Sequence, residues 1–212
     1  MDEYKTIASA GSFEQILQKS TFIALAAAAQ NEQQALAVIN SQKKRYPDAR
    51  HHCWAYRLGP AGENVRCSDD GEPQGTAGVP MLECLKKKNI TNAVVVVTRY
   101  FGSILLGTGG LTRAYASGAA GALDAAKAIW MVRSVKFEIF MDYTHFAHIE
   151  HIIRSKSDIA LEAVEFSESV CIRCVVRQQD EDRLEKELAA LTNGRARTQK
   201  TDTLYYPWEE RQ

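Results

Sequence analysis

The 212-residue sequence predicts an α+β protein of two domains, and three observations carry that prediction. The most apolar run, Ala93-Val94-Val95-Val96-Val97, lies between two glycine-rich polar loops, residues 69–78 and 98–115, each leading into a helix-like pattern. Five consecutive apolar positions suit a strand covered on both faces, which is the mark of an α/β layer. The character of the chain then changes around Ile129 to Arg133, and the last 80 or so residues read strand, helix, strand, strand, helix, strand, the ferredoxin-like split unit. The expected boundaries are 1–130 for an N-terminal α/β domain and 134–207 for a C-terminal ferredoxin-like domain.

Residues 4–8 and 20–28 read as strands. The second, Phe22-Ile23-Ala24-Leu25-Ala26-Ala27-Ala28, is also compatible with helix by propensity, and strand is preferred. Asn31 is an N-cap residue ahead of Ala35, Leu36, Val38 and Ile39 at helical spacing, and Pro47 closes that segment. Lys43-Lys44-Arg45 falls at the helix end, where cations meet the negative pole of the dipole; a solvated helix end is preferred over a phosphate-contacting role. Residues 51–58 form a strand, and Gly59-Pro60-Ala61-Gly62 turns it back into Val65-Arg66-Cys67. Thr76 is the expected N-cap of a helix to Lys88, with Pro80 tolerated near its first turn. The small residues between Leu111 and Ala128 predict a helix that lies close to a sheet, with glycines as packing devices. In the second domain, strands at 134–141, 161–168, 169–177 and 197–206 alternate with helices at 144–156 and 180–191.

Composition is ordinary for a globular chain, 45% hydrophobic and 25% charged, so a core is available without staples. Formal net charge is zero, divided as +3 over residues 1–128 and −3 over the remainder, a mild asymmetry that permits an anionic partner for the first part. The opening Met1-Asp2-Glu3-Tyr4-Lys5 lacks the basic-then-apolar pattern of a signal peptide, and no apolar stretch nears the roughly 18 residues of a membrane helix. The expectation is a cytoplasmic protein with no membrane partner. Five cysteines, an odd number, suit reduced thiols.

Chemistry concentrates in the two loops. Where a glycine-rich turn enters a helix, backbone N–H groups point outward beside the positive end of the dipole and make an anion site. Gly107, Gly109 and Gly110 supply that turn, while Arg99 at the strand end and Arg113 in the first helical turns supply fixed charge. Phosphate or nucleic-acid backbone binding is the leading reading, with a purely structural glycine hinge beside it. Nucleotide cofactors are disfavoured, since Thr112 stands where the dinucleotide fingerprint needs its third glycine and no Gly-Lys-Ser/Thr follows. No cofactor is expected.

In the first loop, Asp69, Asp70 and Glu72 can cap neighbouring N–H groups and pair with Arg99 or Arg113, with Thr76 as a further organiser, or they can hold magnesium beside a phosphate. The loop-organising role is preferred. Cys171 and Cys174 sit three apart on a strand and so face opposite ways, which disfavours zinc. His145, His148 and His151 drift around a helix surface, and His51-His52-Cys53 alternate across a strand. None of these makes a strong metal or nucleophile site.

Three stretches together resemble the YigZ/IMPACT family: His51-x-Cys53-x-Ala55-Tyr56, the run from Asp69 to Pro80, and Val97 to Tyr115 with its Thr-Arg-Tyr-Phe-Gly and Gly-x-Gly-Gly-Leu-x-Arg-Ala-Tyr elements. Ser103 departs from the family's usual second glycine after Phe-Gly. The resemblance implies an N-terminal α/β domain like the second domain of the fifth small-subunit ribosomal protein. It implies a C-terminal ferredoxin-like domain similar to the last domain of elongation factor G. Eukaryotic IMPACT proteins act as translational regulators by competing for an activator of a stress-responsive initiation-factor kinase, and because their extra N-terminal partner-binding domain is not expected here, the resemblance does not imply that partnership.

These readings converge on a non-enzymatic cytosolic protein that binds nucleic acid or ribosome-associated partners, RNA or a ribosome-associated factor foremost, and bears on translation or its regulation under stress. Arg99, Arg113 and the Gly107–Gly110 backbone would contact phosphate, with Tyr100 and Phe101 stacking on an unpaired base or packing in the core. The alternatives are an enzyme acting on a small phosphorylated or nucleotide-like substrate, with magnesium on the acidic loop, and a protein-interaction module on the C-terminal sheet. The sequence leaves the homo-oligomeric state open.

Overall fold

A computed structural model describes residues 2–208 and divides the chain into two compact units, Glu3–Trp130 and Met131–Trp208, apart from the first residues and the last few. The described residues form a mixed α/β structure with two sheets and five α-helices.

The first unit contains strands β1 (Glu3–Ser9), β2 (Gly11–Leu17) and β3 (Ser20–Ala28), helix α1 (Glu32–Arg45), and strands β4 (His51–Leu58) and β5 (Asn64–Ser68). Helix α2 (Gly78–Lys87), strand β6 (Ala93–Tyr100) and helix α3 (Gly107–Ala125) complete it. The sheet runs β2-β3-β6-β4-β5, and every pairing in it is antiparallel. The valine strand is central and buried on both faces, as its composition predicts. Val95 and Val97 pack with Phe22, Ala24 and Ala55 against Met81 and Leu85 of α2 and Leu111, Tyr115 and Ala119 of α3. The alternate residues Val94 and Val96 pack with Tyr56 and Leu58 against Ala35 and Ile39 of α1. Asn31 caps α1 as expected, its side-chain oxygen accepting the Gln34 N–H at 2.9 Å.

Strand β2 is absent from the sequence reading. It is an edge strand with Phe13 and Ile16 left 37% and 67% exposed, so it has no clean apolar alternation to read. Its turn into β3 has two residues, Gln18 and Lys19, both at positive φ (45° and 64°). That geometry is the one hairpins usually assign to Asn-Gly, so the residue signal is missing while the twist requirement is met.

The small residues of α3 do allow close approach. A Cβ on Gly121 would meet the Phe13 ring at 2.5 Å, and one on Gly11, at the start of β2, would meet the Ala126 nitrogen at 2.2 Å. Helix α2 begins one residue later than expected, with Ala77 at the N-cap position, and Thr76 does not cap it: its hydroxyl donates to the Pro73 carbonyl at 2.6 Å.

Strand β7 (Lys127–Met141) spans the boundary, longer than the expected 134–141. Then come helix α4 (Tyr143–Ser155), strands β8 (Ile159–Phe166) and β9 (Val170–Arg177), helix α5 (Glu181–Thr192) and strand β10 (Arg197–Trp208). The sheet order β10-β7-β9-β8 is that of the split β-α-β-β-α-β unit. Phe137, Ile139, Ile172 and Cys174 bury one face of it with Ile149 and Ile153 of α4 and Leu184 and Leu188 of α5. Cys171 sits outside that core, so the two cysteines do face opposite ways.

Candidate phosphate-binding cleft

The site follows from strand alternation. Arg99 shares the parity of Val95 and Val97, so β6 places it on the face covered by α2 and α3, whereas Tyr100 belongs to the α1 face with Val94 and Val96. Tyr100 accordingly donates its hydroxyl to Asp48 at 2.8 Å and takes no part in the cleft described below.

Arg99 is only 5% exposed. Its Nη1 donates to Glu72 Oε1 at 2.6 Å and its Nη2 to Ser20 Oγ at 3.3 Å, while Nε is buried without a partner. The guanidinium lies 5.3 Å from the Phe22 ring centroid and 5.6 Å from that of Phe101. Tyr115 donates to the same Glu72 oxygen at 2.8 Å. Glu72, expected as a loop organiser, therefore locks the first loop to β6 and α3 in a buried network. The charge of Arg99 is already matched by Glu72, so it frames the site more than it faces a ligand.

Asp69 organises the N-terminus of α2 from a distance. Its Oδ1 accepts the Ala77 and Gly78 N–H groups at 2.9 and 2.8 Å, and its Oδ2 accepts that of Gly75 at 2.8 Å. Burial pushes this carboxyl up, but the three N–H bonds outweigh it and hold the pKa below the ordinary value. Asp70 lies at φ 42°, accepts the His52 N–H at 2.7 Å through Oδ2 and faces Lys43 at 3.6 Å. The three carboxylates thus diverge to separate partners, and among the described residues no cluster of His, Cys, Asp and Glu is arranged to hold a metal ion.

The neighbouring nucleophile candidates are occupied too. Cys53 donates to the Asp69 carbonyl at 3.0 Å, and burial pushes its thiol up to about 12, which leaves it protonated and inert at neutral pH. His51 Nδ1 lies 2.9 Å from the Asp70 carbonyl, an acceptor only, so Nδ1 carries the proton. His52 Nδ1 meets Thr98 Oγ1 at 3.0 Å, and burial lowers its pKa.

Above the Arg99–Glu72 pair opens a cleft of about 390 Å³. Gly107 and Thr108, the first residues of α3, form one wall, and Arg50 and His51 lie on another. Phe101 and Leu105 stand at its lip, 49% and 82% exposed. Gly107 has φ 70°, a conformation that glycine adopts without strain and that lets the chain turn directly into the helix. Leu106 occupies the N-cap position and supplies no side-chain hydrogen bond to the first turn. Gly109 and Gly110 lie in that turn, and exposed Arg113 folds back over it, with Nη1 3.8 Å from where a Cβ on Gly109 would stand.

Of the residues singled out from sequence, Arg99, Glu72 and Gly107 line the cleft, Gly109 and Gly110 lie on the helical turn that begins at Gly107, and Arg113 lies on the next turn. Asp69, Asp70 and Thr76 stabilise the adjoining loop. Arg50 was not singled out. Its only signal was a lone charge just before the His51 strand, indistinguishable from a solvated loop residue.

Comparison with known proteins agrees with this architecture. The Impact N-terminal domain matches residues 18–123, and a domain of unknown function, DUF1949, matches residues 139–195. The chain is 35% identical over 205 residues to IMPACT family member YvyE of Bacillus subtilis, covering 97% of this chain and 94% of that protein. It is 45% identical over 104 residues to IMPACT family member YigZ of Escherichia coli, covering 48% and 51%. A crystal structure of a hypothetical protein superposes with a TM-score of 0.63 at 30% identity, over 95% of this chain and 98% of that one. No helix among the described residues is long and apolar enough to cross a membrane. With the three loop and strand motifs assembled around one cleft and both domains matched, the chain belongs to the IMPACT family, in the group that includes YigZ.

Proposed function

We propose that this protein binds RNA or a ribosome-associated ribonucleoprotein through phosphate contacts at the α3 cleft, and that it acts in the regulation of translation as a binding protein and not as an enzyme. The observation that carries this reading is the cleft that sets the N-terminal turn of α3 beside exposed Arg50, with exposed Arg113 reaching back over the same turn outside the cleft lining. The free N–H groups of that turn and roughly half a unit of positive dipole charge favour a phosphate oxygen. Arg113 adds a guanidinium able to make paired contacts with it. The connection to translation is the one that the family resemblance implies.

The test is fluorescence anisotropy of labelled RNA with the full chain over a range of salt. Affinity should fall linearly on a log–log plot, and Arg113→Ala should reduce the slope by about 1 and weaken all sequences alike. Binding that is indifferent to salt, or unchanged in Arg113→Ala and Arg50→Ala, counts against the proposal.

A further inference from the structure

We infer that the α3 cleft takes one unpaired nucleotide of a single-stranded segment, its phosphate on the first turn of the helix and its base against Phe101. The inference rests on the phosphate-binding reading and names the kind of strand it selects. A volume of about 390 Å³ is at the lower end of small-ligand sites and is adequate for one nucleotide.

Phe101 has the properties of a prepared stacking surface. It is 49% exposed, yet its position is held from behind by the Arg99 guanidinium 5.6 Å from the ring centroid. Arg99 is itself fixed by Glu72 and Ser20. The next residue is clamped as well, since Gly102 N–H donates to Ser20 Oγ at 3.1 Å and a Cβ there would stand 1.8 Å from the Lys19 carbonyl carbon. An aromatic ring left in water but backed by a buried ion pair costs little entropy to stack on a base.

Leu105, 82% exposed, and Ile104, 41% exposed, extend the apolar lip, and such a patch beside a polar cleft marks a binding surface. On the opposite wall His51 has its proton on Nδ1, so in the neutral ring Nε2 is an acceptor suited to a base N–H. The cleft therefore pairs an anion-binding turn with an apolar platform, the two halves of a nucleotide.

The experiment uses the full chain, a labelled eight-nucleotide RNA, the same sequence as a duplex, and competition by uridine 5′-monophosphate against inorganic phosphate. The single strand should bind at least tenfold more tightly than the duplex. Phe101→Ala should lose on the order of tenfold for the single strand and nothing for the duplex. Phe101→Leu keeps the apolar packing and should show the same loss if the Ala variant folds poorly, and uridine monophosphate should compete at lower concentration than phosphate. Equal binding of both forms, no effect of the Phe101 changes in folded protein, or equal competition by phosphate overturns the nucleotide inference. If salt and Arg113→Ala still weaken binding in that case, the phosphate reading survives alone, whereas absence of RNA binding removes both.

Discussion

Replacing Arg99 by Met should destabilise the first unit by about 4 kcal/mol. The side chains of Arg99 and Glu72 are 6% and 3% exposed. Removing one partner of a buried pair leaves the other charge uncompensated, at a cost of about 3–5 kcal/mol. In Arg99→Met the Glu72 carboxylate would keep the hydrogen bond from the Tyr115 hydroxyl at 2.8 Å, and Ser20 would lose a donor. The contacts of the cation with Phe22 and Phe101 are lost as well, worth about 0.5–2 kcal/mol together, partly offset by the packing of the Met side chain. Glu72→Gln added to Arg99→Met removes the orphaned charge while keeping an acceptor for Tyr115. The double variant should therefore recover about 2 kcal/mol relative to Arg99→Met, giving a clearly non-zero coupling energy. The assay is urea unfolding followed by circular dichroism, with the slope m compared across the four proteins. A cost below about 1 kcal/mol for Arg99→Met, or additive effects in the cycle, would refute the assignment of Arg99 to the framework and return it to the role of a direct phosphate ligand.

Asp69→Asn retains one acceptor oxygen for three N–H groups and should cost about 1–2 kcal/mol at pH 7. Because the folded-state carboxyl titrates below its unfolded value of about 3.9, its contribution is complete above that value and is lost as pH falls through the folded one. The gap to wild type should narrow below about pH 4, and urea melts showing a constant gap down to pH 3 would contradict the capping role. His52 behaves with the opposite charge. Burial lowers its pKa, so the neutral ring stabilises the fold above about pH 6.5 and that contribution is lost as pH falls from there toward the folded value; the drop in melting temperature between pH 7.5 and 5.5 should be smaller in His52→Gln. Gly102→Ala forces a Cβ into the Lys19 backbone and should lower stability by more than about 2 kcal/mol, whereas Ser103→Gly, at φ 67°, should be neutral or stabilising by up to about 1 kcal/mol in the same melts.

Local signals made much of the architecture readable. Asn31 announces its helix because a cap acts within three residues, and the Gly59–Gly62 turn announces its hairpin for the same reason. The valine run declares a two-sided burial because strand side chains alternate whatever they pack on. The helices and strands of the last third follow from their own periodicities, and the order of the elements prescribes the split unit.

Elsewhere the decisive partner is far away in the chain. The N–H groups at the start of α2 are capped not by adjacent Thr76 but by Asp69, eight and nine residues upstream of Ala77 and Gly78, because the loop folds back on itself. Strand β2 exists because β3 offers it an edge and the Gln18-Lys19 turn tolerates positive φ, and neither condition is written in residues 11–17.

The same distinction governs the cleft. Glycine-rich turns, arginines and acidic residues, visible as composition, mark residues 66–122 as the stretch suited to an anion, with an acidic loop beside it. Which arginine remains free is a matter of packing. Residues 72, 99 and 115 meet around one carboxylate oxygen deep in the unit, so Arg99 is neutralised there, while Arg113, four residues past Gly109 on the helix surface, stays in solvent. Desolvation makes the first pairing obligatory, and desolvation depends on which surfaces the folded chain brings together rather than on which residues it contains.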